Sequence, residues 1–178
     1  HSHFNLANIV TFFNISCGIF AIYFLTHDEF MGAALFAWLA GAFDIFDGKI
    51  ARKYNLSTEF GIQLDSYADF LSFVIVPAMF IYFAIFDGKE SFYNMALIAF
   101  VFIYYVISGL RRLIQFNINA NEGEVEKYFT GIPTPLGAIL LWVVYLIYLT
   151  DYVNEYFVLG SIIIIGYLLN SKIKIKHL

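Results

Sequence analysis

The chain has 178 residues, 61% hydrophobic and only 13% charged, with a formal net charge of −4 at pH 7. Soluble domains run nearer to about 45–50% apolar and 25% charged, so this composition, with its mean hydropathy of +0.74, excludes an ordinary water-soluble domain. The lone Cys17 excludes an intrachain disulfide, no Cys/His pattern suits zinc, and no nucleic-acid partner is expected.

About 20 consecutive apolar residues cross a bilayer as a helix. The sequence predicts about six such segments, at 4 to 26, 30 to 54, 61 to 86, 91 to 117, 132 to 150 and 152 to 170. The fold class expected is therefore all-α, a polytopic integral membrane protein. Short polar breaks separate the segments: "THDEF", "RKYNLSTEFG", "FDGKES", "NANEGEVEKYFTGIP" and "TDYVNE". With no linker and no internal repeat, residues 4–178 are read as one membrane domain. The opening His1-Ser2-His3 looks like a cloning remnant. No cleavable signal peptide is expected, because the first apolar segment lacks a basic leader and a small-residue cleavage site.

The charges predict an orientation. Lys49, Arg52, Lys53, Arg111, Arg112, Lys127, Lys172, Lys174 and Lys176 fall near the second and fourth breaks or in the tail, and only Lys89 falls on the other side. Positive charge stays inside, which puts both termini in the cytoplasm and Asp28, Glu29, Asp87, Glu90, Asp151 and Glu155 outside. The tail "SKIKIKHL" reads as a basic membrane-surface anchor.

Against this apolar background stand Asp44, Asp47, Asp65 and Asp69. Segment two would be about 36 Å long at 1.5 Å per residue, longer than the hydrocarbon core, so its charged end should project into the cytoplasmic interface. Asp44 and Asp47, three apart, share a helix face with Ala51, and Gly48 and Ala51 leave that face bare. Asp65 and Asp69, four apart, share a face of the next helix. A polar break joins the two helices as antiparallel neighbours, so the acidic faces can meet. Four ionised aspartates at the bilayer centre would cost on the order of 10–14 kcal/mol, so neutralisation is required. Oxygen donors suit Mg²⁺, Mn²⁺ or Ca²⁺, one or two of them, and a metal pair can clamp a phosphoryl group undergoing displacement. Arg52 offers a planar fork for phosphate oxygens. Taken singly, each aspartate reads equally as a solvated interfacial charge; four in register, flanked by Gly48, Arg52 and Gly61, favour a site. A cation or proton transporter is the reading from another class, and the short chain without repeated halves counts against it.

Written out, the spacing is Asp44-x2-Asp47-Gly48-x2-Ala51-Arg52-x8-Gly61-x3-Asp65-x3-Asp69. It resembles the complete signature of the CDP-alcohol phosphotransferase family. "NLANIVTFFNISCGIFAIY", "FGIQLDSYADFLSFVIVPA", "RRLIQFN" and "FTGIPTPLGA" are similar to the membrane-embedded phosphatidylserine-synthase branch, although Val74 stands where that branch commonly has Gly and no Pro precedes Asn8. The last helix is left unconstrained.

The resemblance implies a six-helix homodimer of the cytoplasmic membrane, with its active site at the cytoplasmic interface. It implies transfer of a phosphatidyl group from CDP-diacylglycerol to L-serine, with release of CMP. Glycerol 3-phosphate or an inositol phosphate is the alternative acceptor, and hydrolysis a further one. Asp44, Asp47, Asp65 and Asp69 would hold two divalent cations, and Asp69 would be the general base. Asn8, Gly48, Ala51, Arg52, Thr58 and Gly61 would take the nucleotide and its phosphates. Arg111 and Arg112 are the available cations for the serine carboxylate, and the competing reading makes them lipid anchors. Pro133 and Pro135 would shape entry into helix five.

Overall fold

A computed structural model describes residues 4–56, 58–89, 92–121, 128–171 and 174–176. His1, Ser2 and His3, Ser57 of the second break, Glu90, Lys127 and Lys172 lie outside the described residues. Among the described residues the chain forms six helices and one short strand pair, in two compact units that divide between Phe80 and Ile81, near the end of the third helix.

In the first unit, α1 (Leu6–Thr26) starts where the Asn5 side chain accepts a hydrogen bond from the Asn8 amide at 2.9 Å. A tight turn follows, in which Asp28 adopts φ 57°, a left-handed conformation that aspartate tolerates. Helix α2 (Phe30–Lys53) carries Arg52 and Lys53 in its last turn, where cations complement the helix dipole. Helix α3 (Glu59–Phe86) is capped by Thr58, whose hydroxyl accepts from the Gly61 amide at 3.0 Å. Helices in lipid gain little from burying oil against oil, so close packing of small residues is what joins them. Ala7, Ala21, Ala33, Ala37 and Ala40 accordingly fill the buried faces of α1 and α2.

Helix α3 is not regular. Residues Phe70–Ile75 form a π-helical turn in which the Val76 amide reaches back five residues to Leu71 O. Pro77 explains it: proline has no N–H, and its ring would clash with the Phe73 carbonyl four residues back, so the widened turn makes room.

In the second unit, α4 (Phe92–Asn121) and α5 (Thr134–Tyr148) both pack on α6 (Glu155–Leu169). Val101, Tyr105, Leu141, Val158, Ile162 and Leu169 form its core. At one end, Lys89 Nζ meets Glu155 Oε1 at 2.9 Å and donates to the Tyr148 hydroxyl at 3.0 Å. Those hydrogen bonds, to Tyr148 first and then Glu155, hold the lysine above its ordinary pKa. Both side chains are well exposed, so the pair is worth under about 1 kcal/mol.

At the other end, the "GIPTP" turn caps α6. The Ile132 amide donates to Leu168 O at 3.1 Å, satisfying a carbonyl that the helix end leaves over. Gly131, at φ +83°, passes so close that a Cβ would lie 2.5 Å from Leu169 O. Pro133 is the extended residue before α5 and Pro135 sits in its first turn, the geometry that proline pre-organises.

Among the described residues four helices, α1 to α4, are long and apolar enough to cross a membrane. Helices α5 and α6, at 15 residues each, are only about 22 Å long, short of a hydrocarbon core of about 30 Å. They are shorter than the sequence pattern predicts because the extended Pro133 delays the start of α5, while the turn at Asp151 (φ 65°) and the cap at Asn154 confine the α5–α6 connection. The expectation of a purely α fold also meets an exception. Strand β1 (Tyr128–Thr130) pairs antiparallel with β2 (Lys174–Lys176), which lies inside the tail read as a surface anchor.

Candidate active site

All four aspartates lie on the facing segments of α2 and α3. Asp44, Asp47 and Asp65 each present a carboxylate oxygen, and these atoms lie within 4.8 Å of one another. Asp69, one turn further along α3, adjoins the carboxyls of Asp65 and Asp44. Oδ1 of Asp44 and Oδ1 of Asp69 are buried and receive no hydrogen bond. No lysine or arginine among the described residues forms an ion pair with any of the four. Converging carboxylates with orphaned oxygens and no cation from the protein fit a hard divalent metal ion, and the lack of sulfur and imidazole argues against zinc.

Beside this cluster lies a cleft. Asn8 of α1, Gly48, Ala51 and Arg52 of α2, Thr58 at the turn and Gly61 of α3 line it together with Asp47 and Asp65. The residues that the sequence pattern nominates for a nucleotide and its phosphates are thus brought together with two of the acidic residues. Two glycines keep the cleft open. A Cβ on Gly48 would stand 3.4 Å from Arg52 Nη1, and one on Gly61 would stand 2.8 Å from Asn8 Oδ1. Gly61→Ala must therefore displace Asn8. If the cleft takes the nucleotide that the family resemblance implies, this variant should raise the KM for a CDP-linked donor about tenfold, by misplacement alone. Steady-state kinetics of the variant checks this.

Arg111 and Arg112 belong to the second unit, where they line a pocket with Gln115, Asn119 and Asn170. Arg111 is exposed and donates to Asn170 Oδ1 at 2.8 Å. Arg112 is buried, donates from Nε to Ile132 O at 3.2 Å and lies against the Phe116 ring.

Helix α1 holds residues that sequence reasoning missed. Thr11 Oγ1 bonds Asp47 Oδ2, and Ser72 Oγ donates to Asn14 Oδ1 at 2.5 Å. The signal was available: Asn8, Thr11 and Asn14 recur every third residue, which places a polar stripe on one face of an apolar helix. All three are buried.

Residues 4–169 match the family described as CDP-alcohol phosphatidyltransferase. The chain is 31% identical over 170 residues to a CDP-diacylglycerol–serine O-phosphatidyltransferase of Bacillus subtilis, covering 95% of this chain and 88% of that protein. It is 33% identical over 170 residues to the protein of the same name from Methanocaldococcus jannaschii, covering 95% and 72%. To an archaetidylserine synthase of Methanothermobacter thermautotrophicus it is 30% identical over 171 residues, covering 95% and 68%.

Proposed function

The chain belongs to the CDP-alcohol phosphatidyltransferase family, and from that premise we propose that it transfers a phosphatidyl group from CDP-diacylglycerol to L-serine, giving phosphatidylserine and CMP. One observation carries the reading: the oxygens of Asp44, Asp47 and Asp65, within 4.8 Å of one another, adjoin a cleft lined by Asn8, Arg52, Thr58 and Gly61. For serine as the acceptor, support comes from relatives whose names agree on serine while differing in lipid, diacylglycerol in one case and archaetidyl in another.

Each residue has a part in the mechanism. Asp44, Asp47, Asp65 and Asp69 would hold two divalent cations, Mg²⁺ or Mn²⁺. When bound, these would neutralise the pyrophosphate of the donor and the charge growing on departing CMP. Asn8, Thr58 and the bare Gly48, Ala51 and Gly61 surface receive the nucleotide, and Arg52 forks onto phosphate oxygens. Asp69 takes the proton from the serine hydroxyl. That oxygen attacks the lipid-side phosphorus, the bond to the CMP oxygen breaks, and CMP leaves with the electron pair. Little covalent work falls to the protein, so alignment by rigid helices supplies much of the rate.

Serine's carboxylate needs a cation, and Arg111 is the better candidate, since it is exposed whereas Arg112 is buried against Ile132 O and Phe116. A lost charge-assisted bond is worth about 1.5–3 kcal/mol, so Arg111→Ala should raise the serine KM about tenfold or more with kcat nearly unchanged. An unchanged KM would remove Arg111 from the pocket.

The basic residues of the second and fourth breaks support a site on the cytoplasmic face of the cytoplasmic membrane, with both termini on that side. The homodimer rests on the family resemblance.

The acceptor is tested by giving purified protein and CDP-diacylglycerol equal concentrations of L-serine, glycerol 3-phosphate and an inositol phosphate, and identifying the lipid product by mass spectrometry. Phosphatidylserine as the main product is expected. Phosphatidylglycerol phosphate or a phosphatidylinositol phosphate as the main product would keep the family chemistry and replace the acceptor.

A further inference from the structure

The buried polar stripe of α1 extends the metal reading proposed above, on which this inference rests. We propose that Thr11 is a positioning residue for Asp47: its hydroxyl binds Asp47 Oδ2 and so fixes the carboxylate in the orientation that receives a divalent cation. Hydroxyls within membrane helices commonly do no more than bond the carbonyl four residues back. Ser16 and Ser161 do this here, to Phe12 O and Phe157 O at 2.8 Å each. Thr11 is placed differently. It is 1% exposed, within 3.1 Å of Ala7 O, and also meets Oδ2 of Asp47, itself 5% exposed. A hydroxyl has one proton to give, and a charged acceptor draws it more strongly than a neutral carbonyl.

With Oδ2 engaged from α1, the Asp47 side chain loses the freedom to swing out of the cluster. Its partners at the site, Asp44 and Asp65, are acceptors when ionised and offer it no donor. Among the described residues Thr11 is thus the side-chain donor that holds Asp47. The second contact of the stripe, Ser72 to Asn14, joins α1 to α3 one turn beyond Asp69 without touching a carboxylate. It is therefore the internal comparison: it braces the same helix but orients no ligand.

Losing a hydrogen bond behind a metal ligand typically weakens binding about 10–100-fold. The experiment is a Mn²⁺ titration of purified protein in detergent, without substrates, with free Mn²⁺ read by electron paramagnetic resonance. Thr11→Val keeps the shape and removes the hydroxyl, and should weaken Mn²⁺ binding by about tenfold or more. Thr11→Ser restores the hydroxyl and should bind within about threefold of the unaltered protein, as should Ser72→Ala. Thr11→Ala replaces Thr11→Val if the valine variant does not fold. Unaltered affinity in Thr11→Val, or a Thr11→Ser variant as weak as Thr11→Val, would overturn the proposal. So would a Ser72→Ala variant equally weak, because bracing of α1 in general would then be the cause. If the unaltered protein binds no Mn²⁺, the metal reading falls and this inference with it, whereas failure in the variants alone leaves that reading standing.

Discussion

Asp69→Asn is expected to lower kcat by about a thousandfold or more, the middle of the range for a lost general base, and added metal ion should not restore it. Asparagine keeps the volume and one oxygen of the side chain but cannot accept the serine proton. The substitution leaves in place Asp44, Asp47 and Asp65, whose carboxylate oxygens lie within 4.8 Å of one another in the unaltered protein, so Mn²⁺ affinity should fall far less than turnover does. A second readout goes the other way. Asp69 lies against Asp65 and Asp44 with an orphaned buried oxygen, and neutralising one of several crowded carboxylates relieves repulsion. In EDTA the variant should therefore unfold at a higher temperature than the unaltered protein. Stopped-assay kinetics and thermal unfolding in detergent check the two halves. Near-normal turnover would exclude Asp69 as the base.

Asp44→Asn should fail for a different reason. Asp44 adjoins both Asp65 and Asp69 and carries its own orphaned oxygen, so it holds the cluster together rather than moving the proton. A metal ion's charge stabilisation at a transferring phosphoryl group is worth several kcal/mol, and about 3 kcal/mol is already a hundredfold in rate. At a fixed low metal concentration, Asp44→Asn should lose activity by about a hundredfold or more and recover part of it in excess Mn²⁺. A metal titration of activity separates the two variants: recovery for Asp44→Asn, none for Asp69→Asn. Equal behaviour of both would collapse the division of labour between ligand and base.

The convergence of the aspartates was legible in the sequence because its information is local. Spacings of three and four put Asp44 with Asp47, and Asp65 with Asp69, on single helix faces, and a ten-residue break between apolar runs made α2 and α3 neighbours. Thr58 and Gly61 were nominated by the same short window, and the structure places both in the cleft with Asn8. What was not legible is which distant residues the polar stripe of α1 would meet. Thr11 meets Asp47 across 36 residues and Ser72 meets Asn14 across 58, so the spacing of three marks a polar face on α1 but not the groups on α2 and α3 that it meets. The strand pair joins residues equally far apart, Tyr128 with Lys176, and three-residue alternations carry no signal of their own. The π-helical turn before Pro77 is a different case. Proline announces a perturbation, but whether a helix kinks, ends or widens is decided by what packs around it.

The central claim is metal-dependent phosphatidyl transfer to serine, and CMP release tests it most directly. Purified protein would be given CDP-diacylglycerol with Mn²⁺ or Mg²⁺, with and without L-serine, and with EDTA as control. CMP that appears only when serine is present, matched by phosphatidylserine formed and abolished by EDTA, is the predicted result. CMP release indifferent to serine or to EDTA, or cation flux through reconstituted vesicles without any CMP, would contradict it.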